Sequence, residues 1–262
     1  MIEITSYEKL KKFITAFGKK KINLLFIVSK AGLGKTNLIE EVLTPLAPAM
    51  FNGHLTPLSL YKELYERNLY ESDFIAVFDD TDALMNNKSN IALLKALFDT
   101  KETKTVKYTS TTKLLEGMEN EFNTQCKTIV LLNDISDNKN IAPLISRANT
   151  VNFNPSDKEI LSYLKTFAAD KEIVSFIETF VQFSNSLNLR MYVKALELKK
   201  SGLEWRDDLI NNLNTNPRLK EIHDLLKKYP TLKDEERAKH FSLSRPRYFF
   251  YKKLYNGEYN KK

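Results

Sequence analysis

Apolar and polar residues follow two different patterns along this chain. After a helical pattern over Tyr7–Phe17, short apolar runs alternate with helical segments up to residue 153. Such alternation predicts an α/β fold with a mostly parallel sheet covered by helices. The runs predicted as its five strands are Ile22–Val28, Ala49–Phe51, Phe74–Phe78, Thr128–Leu132 and Thr150–Phe153.

From Pro155 onward the pattern predicts helices only. A small helical domain is predicted over residues 155–210, with helices at Asp157–Phe167, Lys171–Phe183 and Leu189–Lys199. The polar stretch Asn211–Pro217 is predicted as a linker. Residues 216–262 follow as a third domain, with helices at Arg218–Tyr229, Lys233–His240 and Ser244–Tyr255. This last spacing is typical of a helix-turn-helix.

A phosphate-binding loop is predicted between the first strand and the next helix. The segment matches G-x-x-x-x-G-K-[ST], except that Ser29 occupies the first glycine position. In such a loop the backbone N–H groups surround the phosphates, Lys35 neutralises the β- and γ-phosphates, and the Thr36 hydroxyl binds Mg²⁺. The alternative is a chance glycine-rich turn. The predicted ATP-binding residues are Ser29, Lys30, Ala31, Gly32, Leu33, Gly34, Lys35 and Thr36.

The positive charge of the chain is concentrated at one end. Its 40 Lys and Arg residues exceed its 33 Asp and Glu residues by seven, and residues 216–262 alone hold 13 against 6. The single cysteine, Cys126, excludes an internal disulfide and favours a reducing compartment. No apolar run reaches the roughly 18 residues that span a bilayer, and the beginning of the chain has no signal-peptide pattern. We therefore expect a cytoplasmic protein with no membrane partner.

Two carboxylates follow the predicted strand Phe74–Phe78. We expect Asp79 to help Thr36 hold Mg²⁺ and Asp80 to act as the base that orients or deprotonates the attacking water. A buried strand that runs into an Asp-rich turn is the alternative. Two further candidates are Asn133, after the predicted strand Thr128–Leu132, and Arg147, before the last strand.

The order of these motifs over about residues 20–200 resembles that of the AAA+ ATPases. The resemblance implies a P-loop core over residues 1–154 with a helical lid over residues 155–210. It implies that Asn133 is sensor 1 and Arg190 is sensor 2. It also implies that Arg147 is an arginine finger, which acts on ATP bound to the neighbouring subunit of a hexameric ring or spiral. These roles make Asp80, Asn133, Arg147 and Arg190 the predicted catalytic residues.

The last predicted helix combines basic and aromatic residues, as a DNA-recognition helix does. We expect DNA contacts from five of its residues: Arg245, Arg247, Tyr248, Lys252 and Lys253. The alternative is a helical cap whose Phe249, Phe250 and Leu254 are core and whose lysines only maintain solubility.

The resemblance points to an ATPase of phage, plasmid or mobile-element replication, acting as a helicase, a helicase loader or an initiator. Replication proteins are then possible partners. Two other hypotheses stay open. One is an ATP-gated DNA-binding switch with negligible turnover, which Ser29 and the short Asp80 side chain favour. The other is a monomeric P-loop kinase for a small molecule, which Arg147 and the basic C-terminal segment disfavour.

Overall fold

The computed structural model describes residues 1–81, 88–110, 112, 115–135, 141–181, 187–213 and 216–256. The chain divides into two compact units, Met1–Pro155 and Ser156–Lys262. The first unit contains the predicted P-loop core. The second contains both the predicted helical domain and the predicted C-terminal domain, and the division between those two stays a prediction.

The first unit is built on a parallel sheet of six strands. They are β1 (Ile2–Ile4), β2 (Leu24–Val28), β3 (Ala49–Asn52), β4 (Ile75–Asp79), β7 (Lys127–Leu132) and β8 (Asn149–Phe153). Their order in the sheet is β1-β8-β2-β7-β4-β3. Five of these strands were predicted, and the count of five is wrong by one. The additional strand is β1, which pairs in parallel with β8 at the sheet edge. Three residues are too few to show an alternation, and the pairing with β8 stabilises the strand.

Two further strands, β5 (Lys104–Lys107) and β6 (Glu121–Thr124), form a separate antiparallel pair. Lys104 on β5 is buried, and its ammonium donates to the carbonyl of Cys126, the residue just before β7, at 2.6 Å. This bond joins the antiparallel pair to the main sheet. Cys126 is itself fully buried, which raises the pKa of its thiol to about 12. The described helices of the first unit are α1 (Tyr7–Gly18), α2 (Lys35–Leu43), α3 (Pro57–Tyr70), α4 (Lys88–Leu97) and α5 (Ala142–Ile145).

The centre of the sheet is apolar on both faces. All five residues of β2 and all six of β7 are buried, as expected for parallel strands covered by helices on both sides. Aromatic rings fill the space next to β2 and β4. Phe78 stacks on Phe51 at 4.8 Å between centroids, and Phe98 meets Phe26 and Phe78 edge-on at 5.8 and 6.0 Å. This packing fixes the strand ends that carry the predicted site residues.

The second unit is entirely helical in its described part. The helix predicted over Asp157–Phe167 has these bounds in the structure. The helix predicted over Lys171–Phe183 is described to Val181, and residues 182–183 lie outside the described residues. The helix Arg206–Asn212 extends into the stretch predicted as a linker, so residues 211–212 are helical. The helices are α6 (Asp157–Phe167), α7 (Lys171–Val181), α8 (Leu189–Lys200), α9 (Arg206–Asn212), α10 (Pro217–Lys228), α11 (Asp234–Arg237) and α12 (Arg245–Tyr255).

The three predicted C-terminal helices are present and share a small core. A 3₁₀ turn, Ala238–His240, extends α11, and residues 241–244 connect it to α12. Their core consists of Ile222, Leu225, Ala238, Phe241 and Tyr248. Tyr255 at the end of α12 also meets two rings of α7, Phe176 and Phe180, edge-on at 6.4 and 5.4 Å. The segment predicted as a helix-turn-helix therefore packs directly on Lys171–Val181, a helix of the predicted lid.

In the described part of the chain, no helix is both long and apolar enough to cross a membrane.

Candidate functional site

The predicted phosphate loop has the required setting of strand, loop and helix. It leaves β2 at Val28 and enters α2 at Lys35. Gly32 and Gly34 have φ angles of 79° and 78°, in the left-handed region that favours glycine. Ser29 is not among the residues with positive φ, and its N–H donates to the Leu132 carbonyl at 3.1 Å. Its backbone therefore has no need of glycine, and serine fits the first position of the loop.

The Lys35 ammonium lies against this loop. It donates to the Ser29 carbonyl at 2.6 Å, to the Lys30 carbonyl at 3.3 Å and to Asn133 Oδ1 at 3.1 Å. The residue is only 8% exposed, so its charge is concentrated where the loop N–H groups and the α2 N-terminus converge. An anion bound here would be stabilised by the Lys35 ammonium, by the loop N–H groups and by the positive end of α2.

Asn133 follows β7, the strand next to β2, and this order brings its amide to Lys35. The side chain is exposed at the edge where the loop lies. The structure therefore brings Asn133 and Lys35 together, and the role of Asn133 as sensor 1 stays a prediction. A neutral amide at this place can hold a water molecule without adding charge.

Two oxygen ligands for a hard cation meet beside the loop. The Thr36 hydroxyl donates to Asp79 Oδ2 at 2.6 Å, although 43 residues separate the two in sequence. Mg²⁺ prefers such oxygens and usually binds one or two protein ligands together with substrate phosphates. Among the described residues, no group of three or more His, Cys, Asp or Glu side chains could hold a metal ion. The Thr36 and Asp79 pair therefore fits a metal that arrives with a nucleotide.

Asp80 follows Asp79 at the carboxyl end of β4. Its side chain is exposed, and its φ of 50° lies in the left-handed region that Asp tolerates better than most residues. This conformation turns the chain at the end of the strand. The structure thus places Asp80 next to Asp79, at the same sheet edge as the loop.

Arg147 lies at the opposite edge of the sheet. It precedes β8, whereas the phosphate loop follows the carboxyl end of the adjacent parallel strand β2. A five-residue strand separates these edges by about 16 Å. The guanidinium donates to the Pro143 carbonyl at 2.8 Å and is exposed, and Arg147 borders a cleft of about 280 Å³ together with Lys21, Asp99 and Asn149. Arg147 is therefore not part of the phosphate site of its own chain.

Arg190 belongs to the second unit, where it is exposed in the first turn of α8. Its predicted contact with nucleotide stays a prediction.

Sequence reasoning missed Tyr7 as a residue of the phosphate site. Its hydroxyl donates to the Leu33 carbonyl at 2.9 Å, and its ring meets Phe153 edge-on at 5.0 Å. Because this bond holds one carbonyl of the loop, it also orients the peptide N–H of Gly34, on the other side of the same peptide plane. In the sequence, Tyr7 is only one apolar position of an amphipathic helix, and nothing there indicates where its hydroxyl points.

Four of the five predicted DNA-contact residues have side chains at least partly exposed on α12. Arg245, Arg247 and Lys253 are exposed, and Lys252 is half-buried beside Tyr255. Tyr248 is the exception, and its prediction as a DNA contact is wrong in this structure. It is 0% exposed, and its hydroxyl donates to Asp234 at 2.8 Å. It belongs to the helical core.

The ionisation of this buried pair is perturbed. Burial, followed by the hydrogen bond to Asp234, raises the pKa of Tyr248 well above its usual range. For Asp234, burial opposes ionisation, but the bonds from Tyr248 and Arg237 outweigh it and lower the pKa of the carboxyl. Asp234 is therefore a charged acceptor that holds α11 and α12 together.

Comparison with solved structures identifies the fold. A single-substitution mutant of RuvB from Thermotoga maritima is similar over 92% of this chain and 84% of that chain, with 14% sequence identity and a TM-score of 0.50. The chain thus has the α/β fold of the P-loop AAA+ ATPases. No family model and no curated protein matches the sequence.

Two other similar structures have lower scores. Domain III of the replication initiation protein DnaA from T. maritima is 18% identical over 82% of this chain and 93% of that chain, with a TM-score of 0.48. PCH-2 from C. elegans is 16% identical over 78% of this chain and 65% of that chain, with a TM-score of 0.45.

Proposed function

We propose that this protein is a Mg²⁺-dependent ATPase that assembles into a ring or spiral and acts on DNA. The observation that carries this proposal is the junction of three chain segments at one sheet edge. There Lys35 contacts both the phosphate loop and Asn133, while Thr36 contacts Asp79. This donor set suits a nucleoside triphosphate with its metal.

Each of these residues has a role in the proposed reaction. Thr36 and Asp79 would hold Mg²⁺, which supplies charge neutralisation at the phosphates. Lys35 would exchange its carbonyl partners for β- and γ-phosphate oxygens. Asn133 would hold the attacking water, and Asp80 would accept its proton. Arg190, in the second unit, would act as sensor 2, the role that the resemblance implies.

The position of Arg147 supports hydrolysis between subunits. Since it lies across the sheet from the phosphate loop of its own chain, it can complete a phosphate site only in a neighbouring copy. An arginine supplied in this way stabilises transition-state charge and increases the rate by about 10³ to 10⁵. Hydrolysis would then depend on assembly, and nucleotide state would control how tightly adjacent subunits close.

The charge of the C-terminal segment supports DNA as the substrate. Residues 216–262 carry a net charge of +7 from 13 basic and 6 acidic residues. Three of the basic side chains, Arg245, Arg247 and Lys253, are exposed on α12. We propose that this segment binds DNA during replication of a phage or mobile element, with the protein acting as helicase, helicase loader or initiator.

The experiment that tests this function is steady-state ATP hydrolysis over a series of protein concentrations, with and without single- or double-stranded DNA. We expect the rate per subunit to rise with concentration, to increase with DNA and to fall at least 100-fold in Arg147→Ala. Lys21→Ala is the matched control, because Lys21 is an exposed basic residue on the same cleft. A rate that depends on neither concentration, DNA nor Arg147 would contradict the proposal.

A second candidate is an ATP-gated DNA-binding switch with negligible turnover. The exposed Asp80 favours it, since aspartate is one methylene shorter than the glutamate that most AAA+ proteins have there. Tight ATP binding with very slow, DNA-independent hydrolysis would support this switch over the motor.

A further inference from the structure

An exposed aromatic ring stands between two basic side chains on α12. Phe250 is 42% exposed, and Arg247 and Lys253, three residues before and after it, are exposed as well. With 3.6 residues per turn, this spacing puts all three on one side of the helix. The sequence alternative that made Phe250 a core residue is therefore wrong.

The other side of α12 fixes how the helix is oriented. Tyr248 and Leu254 are 0% and 5% exposed. Tyr248 packs edge-on against Phe241 at 5.7 Å, within the core that also contains Ile222. Because these contacts hold the buried side in place, Phe250 stays 42% exposed, with its ring edge-on to that of Tyr251 at 5.3 Å.

The acidic residues of the adjacent α11 are engaged within the unit. Asp234 accepts from Arg237 at 3.0 Å and from Tyr248, and Glu236 accepts from the Lys233 N–H at 3.2 Å. Glu235 lies 3.7 Å from Arg245. By contrast, Arg247 and Lys253 have no hydrogen-bond or ion-pair partner among the described residues. The exposed side of α12 therefore presents positive charge around one apolar ring.

We infer that α12 enters the major groove of duplex DNA and that Phe250 contacts the C5-methyl group of a thymine. The inference rests on the proposed DNA function and adds a base preference to it. In the major groove the thymine methyl is the apolar feature available to an aromatic side chain, and Phe is among the residues that contact it. Arg247 and Lys253 bind phosphates or base edges on either side. Charge complementarity favours DNA as the occupant of this surface.

The test begins with selection of duplexes from a pool with a randomised centre, using the full-length protein with Mg²⁺ and ATP. Each thymine of the selected sequence is then replaced singly by deoxyuridine, which removes only the methyl group. At one position we expect the affinity of the wild type to fall about fourfold, as burial of one methyl group predicts. Phe250→Ala should bind the thymine duplex more weakly by a similar factor and be insensitive to the uracil replacement at that position.

Phe167→Ala is the matched control, because Phe167 is a similarly exposed phenylalanine in the same unit, at 48%. It should retain the thymine preference. Duplex binding that depends on residues 216–262 but is indifferent to every thymine replacement would overturn the inference and leave the proposed function standing. Tighter binding to single-stranded DNA than to duplexes that is lost in Phe250→Ala would indicate that the ring stacks on bases, and it would overturn the inference too. Absence of binding to any DNA would overturn both.

Discussion

The phosphate loop and α12 are both recognisable in the sequence, but they are built differently. The loop acts through its backbone, with Gly32 and Gly34 in left-handed conformations and a helix N-terminus behind it. In α12 the proposed DNA contacts depend on which side chains face outward, and residues only two positions apart differ in exposure. Tyr248 is 0% exposed, whereas Phe250 is 42% exposed. A backbone-built site follows from a short motif, whereas a side-chain surface follows only from tertiary packing.

The largest expected effect is at the backbone-built site. Lys35→Ala removes the ammonium that contacts the loop carbonyls and Asn133, so the phosphates lose their main charged partner. We expect ATP affinity to fall by about 100-fold or more, since a charge-assisted bond contributes about 1.5 to 3 kcal/mol and the phosphate charge is then left uncompensated. Calorimetric titration with ATP and Mg²⁺ measures this.

Lys30→Ala is the control for this prediction. Lys30 is the neighbouring lysine of the same loop. It is predicted to bind phosphate through its backbone N–H, which the substitution keeps, and its side chain is exposed. Its removal should change ATP affinity by less than about threefold, the small effect expected of an exposed charge. Equal losses in the two variants would mean that net charge, rather than the position of Lys35, determines binding.

Much of the geometry of the candidate phosphate site could be predicted because parallel strands bring their carboxyl ends to one edge. Asp79 and Asn133 each follow an apolar run, and in the structure they contact Thr36 and Lys35, residues 43 and 98 positions away in sequence. Tyr7 could not be predicted in the same way. Its bond to Leu33 depends on how α1 packs on the sheet, and a tyrosine in an amphipathic helix does not reveal that.

The helices of the second unit were predicted better than their surfaces. The pattern for α12 gave its bounds within one residue, because Ser244 and Pro246 are typical of a helix start. It did not separate core from surface, since aromatic residues occur on both sides of this helix. The strand β1 shows the same limit at the other end of the chain. Three residues carry too little pattern, and pairing with β8 decides their structure.

A smaller effect is expected when the exposed charges of α12 are removed. Arg247→Ala combined with Lys253→Ala deletes two exposed cations and leaves the buried side of the helix intact. Each phosphate contact contributes about 0.9 to the slope of log affinity against log salt concentration, so the slope should decrease by about 1.8. DNA titrations from about 50 to 200 mM salt measure it.

The same double change at Lys158 and Lys194 is the control, because both are exposed lysines of the same unit. Their replacement should leave the slope unchanged. An equal decrease of the slope in the two double variants would show that DNA affinity depends on the overall charge of the unit. The positions of Arg247 and Lys253 on α12 would then have no special role.

The smallest expected effect concerns the buried side of α12. Tyr248→Phe keeps the ring in the core but removes its hydrogen bond to Asp234, which should lower the free energy of unfolding by about 1 kcal/mol. The raised pKa of Tyr248 means that the folded protein holds this phenol proton more tightly than the unfolded chain. This stabilisation is therefore complete below about pH 10, the ordinary pKa of tyrosine, and is lost as the pH rises toward the folded value.

Urea unfolding at pH 7 and at several pH values above 10 checks both parts of the prediction. The difference between wild type and Tyr248→Phe should be largest at pH 7 and should shrink as the pH rises, because only the wild type has this proton to lose. Tyr70→Phe is the control, since Tyr70 is 87% exposed and its ring is in water in both states. If the difference in free energy of unfolding between wild type and Tyr248→Phe stays constant with pH, the proposed role of the Tyr248 bond to Asp234 in the core is contradicted.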